Sequence, residues 1–145
     1  MKALSIQQPF ASLVVHGLKR YETRSWPTSY RGPLAIHASR IVRMAQRERC
    51  WRPPIRGLLA QAGIAPSDLP LRCLVGVVRV VDCVPAPDLI DELDAREREL
   101  GDWRDGRHAW LLADAVPLAV PVPWPGQLSL FELPVDVTTL LYERA

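Results

Sequence analysis

From its start the chain alternates apolar and polar positions over Lys2 to Gln7, the two-residue period of a half-buried strand. Pro9 suits the first turn of a short helix over Phe10 to His16, and Gly17 suits its left-handed C-terminal cap. Arg20 to Ser25 returns to a strand pattern. Arg31-Gly32 reads as a turn feeding a buried strand, Pro33 to Ala38. Ser39 can cap a helix running to about Cys50, where Trp51-Arg52-Pro53-Pro54 stops it. A short helix is expected over Ile55 to Ala62, ending near Gly63. Arg72 to Val84 is the most β-branched stretch and predicts a long central strand, broken by Pro85 to Pro87. Asp88 to Leu100 reads as an acidic, solvated helix with Asp88 as its cap and Gly101 as its stop. Two strands are expected at Ala109 to Asp114 and Pro117 to Val122. A turn at Trp124-Pro125-Gly126 leads to a last strand, Leu128 to Leu133, and Asp136 to Tyr142 forms a terminal helical turn.

Six or seven short strands with three or four helices between them do not make a doubly wound βαβ alternation. No internal repeat or long linker divides them, so one domain over residues 1–145 is expected, of α+β class. A small, mostly antiparallel β-barrel with peripheral helices fits this order, since closure removes vulnerable sheet edges. Prolines cluster at strand ends, where a missing backbone donor matters least.

Composition narrows the classes. With 48% apolar and 23% charged residues among 145, a core can form without a disulfide or metal staple. The longest apolar runs, such as Leu74 to Val78, fall far short of the ~20 residues that span a bilayer, and the N-terminus lacks a signal-peptide pattern. Cys50, Cys73 and Cys83 form no C-x-x-C pair, so buried thiols in a reducing cytoplasm are expected, with no metal and no cofactor. The small net charge hides an asymmetry. Residues 1–60 carry eleven Lys/Arg against Glu22 and Glu48, whereas residues 61–145 carry seven Arg against fourteen acids. Such polarity favours an anionic partner for one face, unless the two halves simply neutralise each other.

The chemistry concentrates in Gly17 to Trp26. On a strand, Arg20, Glu22 and Arg24 share one face while Tyr21, Thr23 and Ser25 share the other, and Lys19 stands at its mouth. A carboxylate between cations is held ionised and can orient them; the same group also reads as an ion pair closing one end of a barrel. The chain has sixteen Arg and two Lys, Lys2 and Lys19. Lysine, unlike arginine, can lose its proton when desolvated, so its retention beside Glu22 suggests amine chemistry or a tight phosphate contact.

The spacing G-x-K-x-x-E-x-R, as Gly17, Lys19, Glu22 and Arg24, resembles the signature of the ASCH domain family, a branch of the PUA-like β-barrels. The flanks are similar too: Leu4 to Leu13, Tyr30 to Ser39, Val75 to Val78 with Asp82 to Val84, Trp110 to Leu112, and Gly126 to Leu128 with Leu130-Phe131. This resemblance covers the chain from end to end. It implies a PUA-like barrel with an RNA-related role and a cleft beside the motif. The partner it implies is single-stranded RNA, a nucleotide or a modified nucleoside. Some members cleave single-stranded RNA and others hydrolyse the amide of N4-acetylcytidine. The latter resemble this chain at Lys19, but their threonine nucleophile falls where Glu22 stands, and Thr23 is expected on the opposite strand face. Lys19 and Glu22 are therefore the catalytic candidates if the protein is an enzyme, with Glu22 as a base toward water or a ribose hydroxyl. A binding module, and a structural module acting through partners, remain open beside that.

Arg24 and Arg31 are candidate RNA-binding cations. Trp26, Tyr30 and Trp124 are candidate base-stacking residues. Arg40, Arg43 and Arg47 are expected to form one stripe on the helix after Ser39, with Ile41, Met44 and Ala45 toward the core; the stripe is a phosphate track or a solvated face. Ser129 is a further candidate donor to phosphate. His37, in an apolar strand, reads as a core or barrel-mouth histidine, and His16 and His108 suggest nothing further.

Overall fold

The computed structural model describes residues 1–40 and 43–145. Six strands form one sheet in the order β2-β5-β4-β3-β1-β6, curled into a half-barrel. They are β1 (Lys2–Ile6), β2 (Tyr21–Arg24), β3 (Gly32–Ala38), β4 (Cys73–Pro85), β5 (His108–Pro123) and β6 (Leu130–Glu132). Every pairing is antiparallel except β1 with β3. The sheet stays open, but its edges are the four-residue β2 and the three-residue β6, and short edges offer little to a passing strand.

The helices are α1 (Phe10–Val15), α2 (Met44–Arg49), α3 (Ile55–Gln61), α4 (Ala95–Leu100) and α5 (Val135–Arg144). All of α1 after Phe10 is buried, because it lies inside the curl against Leu4, Ile36, Val78 and Trp110. The Gln8 amide replaces an N-cap side chain: Oε1 accepts from the Ser12 N–H at 3.0 Å and Nε2 donates to Ser12 Oγ at 2.8 Å. Gly76 lets the helix come this close, since a Cβ there would lie 2.6 Å from both the Val116 carbonyl oxygen and Val15 Cβ. On the other side of the sheet, α5 covers Ala3, Ala35, Leu74 and Phe131 with Val137 and Leu141. A third cluster joins Leu13 of α1 to Cys50, Ile55, Leu59 and Leu100. Burial raises the thiol pKa of Cys50 and Cys73, which keeps both unreactive.

Four expectations change. The two strands expected at 109–114 and 117–122 are one strand, β5, which absorbs Asp114 at φ +52° and register shifts against β4; such irregularities bend a strand without ending it. The expected helix from Asp88 is a 3₁₀ segment, Ala86–Glu92, followed by α4. Leu93 is extended and buried, and Asp94 supplies the cap that Asp88 does not, accepting from the Glu97 N–H at 2.8 Å. The last strand shortens because Ser129 adopts φ +57°. Finally, the helix expected from Ser39 starts only at Met44, and Arg43 is its N-cap. Arg40 therefore shares no helix face with Arg43 and Arg47. Met44 is 75% exposed and α2 buries no residue, so the expected core face is absent; Ile41 lies outside the described residues.

Candidate functional site

Gly17, at φ +71°, ends α1 and turns the chain outward into β2. Lys19 sits in that turn and is only 2% exposed. Its Nζ donates to the Tyr21 carbonyl, lies 3.8 Å from Glu22 Oε1, and stands 5.8 Å from the centre of the Phe10 ring. Glu22 is itself buried. Two opposite charges withdrawn together need close contact and further hydrogen bonds to offset their desolvation. Lys19 has such a bond. Glu22 Oε2 has none.

Glu22 is among the residues that line a cavity of roughly 270 Å³ between β2, α2 and the segment after α4. Lys19, Glu22, Gln46, Arg49, Asp102 and Arg107 line it. Among the described residues, five buried side-chain polar atoms lack a hydrogen-bond partner, and three belong to residues that line this cavity: Glu22 Oε2, Gln46 Oε1 and Arg107 Nε. Arg107 Nε lies 3.5 Å from Asp102 Oδ2, an ion-pair contact without hydrogen-bond geometry. Buried polar atoms are normally satisfied, so two acceptors and a donor left unsatisfied on residues around one void set that void apart as polar. The Arg104 guanidinium, bonded to Asp102 at 2.6 and 2.8 Å, holds that carboxyl down at about 2. Asp102 is thus a fixed negative charge at the rim.

Thr23, expected on the far face of β2, also borders the cavity. The reason is that β2 is an edge strand: its outer side has no partner strand, and the segment around Asp102 wraps it there. Thr23 Oγ1 accepts from the Asp102 N–H at 2.9 Å, and Arg107 donates to the Thr23 carbonyl at 3.0 Å.

Lys19 and Glu22 thus come together, but Arg24 leaves them. Its guanidinium donates to the Ser5 carbonyl at 3.3 Å and lies 5.8 Å from the Trp26 ring. Trp26 packs edge-on to Trp110, and the Tyr30 hydroxyl donates to the Pro33 carbonyl. Arg31 is tied to Asp82 at 3.3 Å and to the Thr28 and Tyr30 carbonyls. Ser129 is exposed. Arg43 and Arg47 are exposed around α2, whose Gln46 and Arg49 reach the cavity. His37 is buried near the C-terminal end of β3, 2% exposed.

Sequence reasoning passes over Gln46, Arg107, Asp102 and Trp51. Trp51, just beyond α2, is 54% exposed; a tryptophan embedded between Arg49 and Arg52 is its one available signal. Glu97, expected on a solvated helix, is 1% exposed and accepts the Arg20 N–H at 2.8 Å, pinning α4 to the start of β2. Among the described residues no group of three or more His, Cys, Asp or Glu is placed to hold a metal ion, and no helix there is long and apolar enough to cross a membrane.

Comparison with known proteins bears on this site. The family model described as ASCH domain matches residues 4–121. Activating signal cointegrator 1 of Homo sapiens and of Mus musculus are each 37% identical over 99 residues, covering 63% of this chain. The match spans only 17% of those proteins' length. Among solved structures, ASCH from Zymomonas mobilis superposes with TM-score 0.60 at 18% identity, covering 98% of this chain and 93% of that one. A tyrosine-to-phenylalanine mutant of the same Zymomonas mobilis protein gives 0.58 at 17% identity, covering 98% and 96%. At such identities the structural likeness establishes the fold.

Proposed function

This chain belongs to the ASCH domain family, which is generally associated with RNA binding, and on that premise we propose that it is a single module that binds single-stranded RNA at the Lys19–Glu22 cavity. The observation that carries the proposal is that three residues lining one void beside a buried ammonium, Glu22, Gln46 and Arg107, each keep an unsatisfied polar atom. Two acceptors and a donor match the mixed edge of an amino-bearing nucleobase. At roughly 270 Å³ the cavity lies just under the ~300–1,000 Å³ of drug-sized pockets, so it takes one base while the strand runs outside. Arg43 and Arg47 supply phosphate contacts along that outer path, and Trp51 offers a stacking face for a neighbouring base. Fluorescence anisotropy with a short labelled RNA tests this. Gln46→Ala removes an orphaned acceptor from a partly exposed side chain, so affinity should fall about tenfold while the melting temperature holds. Unchanged affinity contradicts the proposal.

A second reading, hydrolysis of RNA or of a modified nucleoside such as N4-acetylcytidine, is favoured by one detail. Glu22 Oε2 is an unpartnered carboxylate oxygen on a residue that lines the cavity, and a carboxylate without a competing partner is what a general base toward water needs. Mass spectrometry of short RNAs and N4-acetylcytidine after incubation decides it. Turnover that Glu22→Gln abolishes while binding persists establishes the enzyme; no product leaves the binding module.

A further inference from the structure

A cavity of roughly 600 Å³, larger than the one at Lys19, lies at the C-terminal ends of β1 and β3. At its base Ser5, on β1, meets His37, on β3. Ser5 Oγ is 3.0 Å from His37 Nδ1, and His37 Nε2 is 2.7 Å from the Trp124 carbonyl oxygen. A carbonyl can only accept, so Nε2 carries the proton and Nδ1 of the neutral ring accepts the Ser5 hydroxyl proton. The Ser5 oxygen therefore offers the cavity lone pairs alone. Gly126 leaves the room: a Cβ there would stand 2.8 Å from His37 Cε1 and 3.0 Å from Ser5 Oγ.

The walls differ in character. Trp124 and Leu128 form an apolar side, and Leu128 is 94% exposed. Arg40 and Arg72 form a basic side, and neither makes an ion pair among the described residues. Arg72 is the telling residue. It holds φ +57°, a left-handed conformation that glycine adopts freely and arginine does not. Two backbone bonds clamp it there, its N–H to the Ala38 carbonyl at 2.9 Å and its carbonyl from the Trp124 N–H at 3.1 Å. The turn thus suits glycine but carries an arginine that lines the cavity. Strained backbone of this kind concentrates at ligand sites.

We propose that this Ser5–His37 cavity is a second site, which binds a nucleoside monophosphate with its phosphate on Arg40 and Arg72 and its base against Trp124 and Leu128. The volume falls within the range of small-ligand pockets, and paired guanidiniums suit a phosphomonoester dianion. The Ser5 oxygen accepts from a base N–H or a ribose hydroxyl. The same chemistry occurs in free nucleotides and at the phosphorylated end of a strand. This inference does not depend on the Lys19 reading.

The test is titration of the isotopically labelled protein with uridine, uridine 5′-monophosphate, and short RNA with and without a 5′-phosphate, with the Trp124 indole and His37 ring resonances followed by NMR. The monophosphate should shift both, bind at least tenfold tighter than uridine, and weaken at least tenfold in Arg72→Gly. That variant should melt at the parent's temperature or above, since glycine relieves the strain. Arg40→Ala, at an exposed side chain, should weaken the monophosphate as well. Tighter binding of the phosphorylated strand than of the monophosphate assigns the site to strand ends, and the reverse assigns it to free nucleotide. No shift at millimolar monophosphate, equal binding of uridine, or affinity unchanged in Arg72→Gly overturns the proposal. RNA lacking a terminal phosphate should bind parent and Arg72→Gly alike, so failure here and failure at the Lys19 cavity read out separately.

Discussion

Lys19 and Glu22 form a pair that is nearly sealed from solvent and only half satisfied, and this sets what substitutions do. Removing the carboxylate leaves a buried ammonium with one carbonyl partner. Breaking a buried pair costs roughly 3–5 kcal/mol, so Glu22→Ala should lower the unfolding free energy by about that much in urea titration. Glu22→Gln keeps an acceptor near Nζ and should cost less. A value for Glu22→Ala within ~0.5 kcal/mol of the parent would mean that the pair is solvated. His37 carries a second residue-scale expectation. Burial lowers its pKa, partly opposed by the bond to the Trp124 carbonyl, and burial lowers that of His16 as well. A histidine depressed in the folded state stabilises the fold above its unfolded pKa of about 6.5. That stability is lost as pH falls from there through the lower folded value. In a His16→Gln background, the urea midpoint should fall between pH 7 and pH 5, and His37→Gln should flatten that fall. An unchanged pH slope would place the acid sensitivity elsewhere.

At the scale of elements, α2 and α1 are opposites. All of α1 after Phe10 is buried and α2 buries nothing. Because Gly76 admits α1 against β4 with no spare space, Gly76→Ala forces backbone and Val15 apart and should destabilise by about 1–3 kcal/mol; a neutral substitution would show that the packing there can relax. α2 should behave as binding surface. Reversing Arg43 and Arg47 to Glu should leave the melting temperature within a degree or two. The same change should reduce the dependence of RNA affinity on salt by roughly 0.7 log units per log unit for each phosphate that is no longer neutralised. An unchanged slope returns these arginines to ordinary solvated surface. The contrast also explains what the sequence makes legible. β4 is legible because a β-branched run admits few alternatives, and α1 because its apolar stretch ends at a glycine. The break at Leu93–Asp94 is not, because the two helical segments share one acidic composition and only the burial of Leu93 beside Trp103 separates them. The start of α2 is hidden by a plausible cap at Ser39 with no core face behind it.

Over the whole molecule, the charge asymmetry of the sequence does not become two separate faces. Arg20 pairs with Glu97 at 3.7 Å and Arg31 with Asp82, so the halves partly neutralise each other. The Lys19 cavity lies on that seam. Its Lys19 and Glu22 are legible because they belong to one short motif. Asp102 and Arg107 are not, because they arrive from some eighty residues away and only the pairing of β5 with β2 brings them to that edge strand. Residues from both halves that keep orphaned polar atoms and line one void make the central claim, and it can be tested without altering the protein. Titrating the isotopically labelled chain with a short single-stranded RNA that lacks a terminal phosphate should produce saturable NMR shifts. They should be largest over residues 19–23, 46–51 and 99–107, with the salt dependence of a phosphate-contacting ligand. Saturable binding whose shifts leave those three segments untouched would contradict the account.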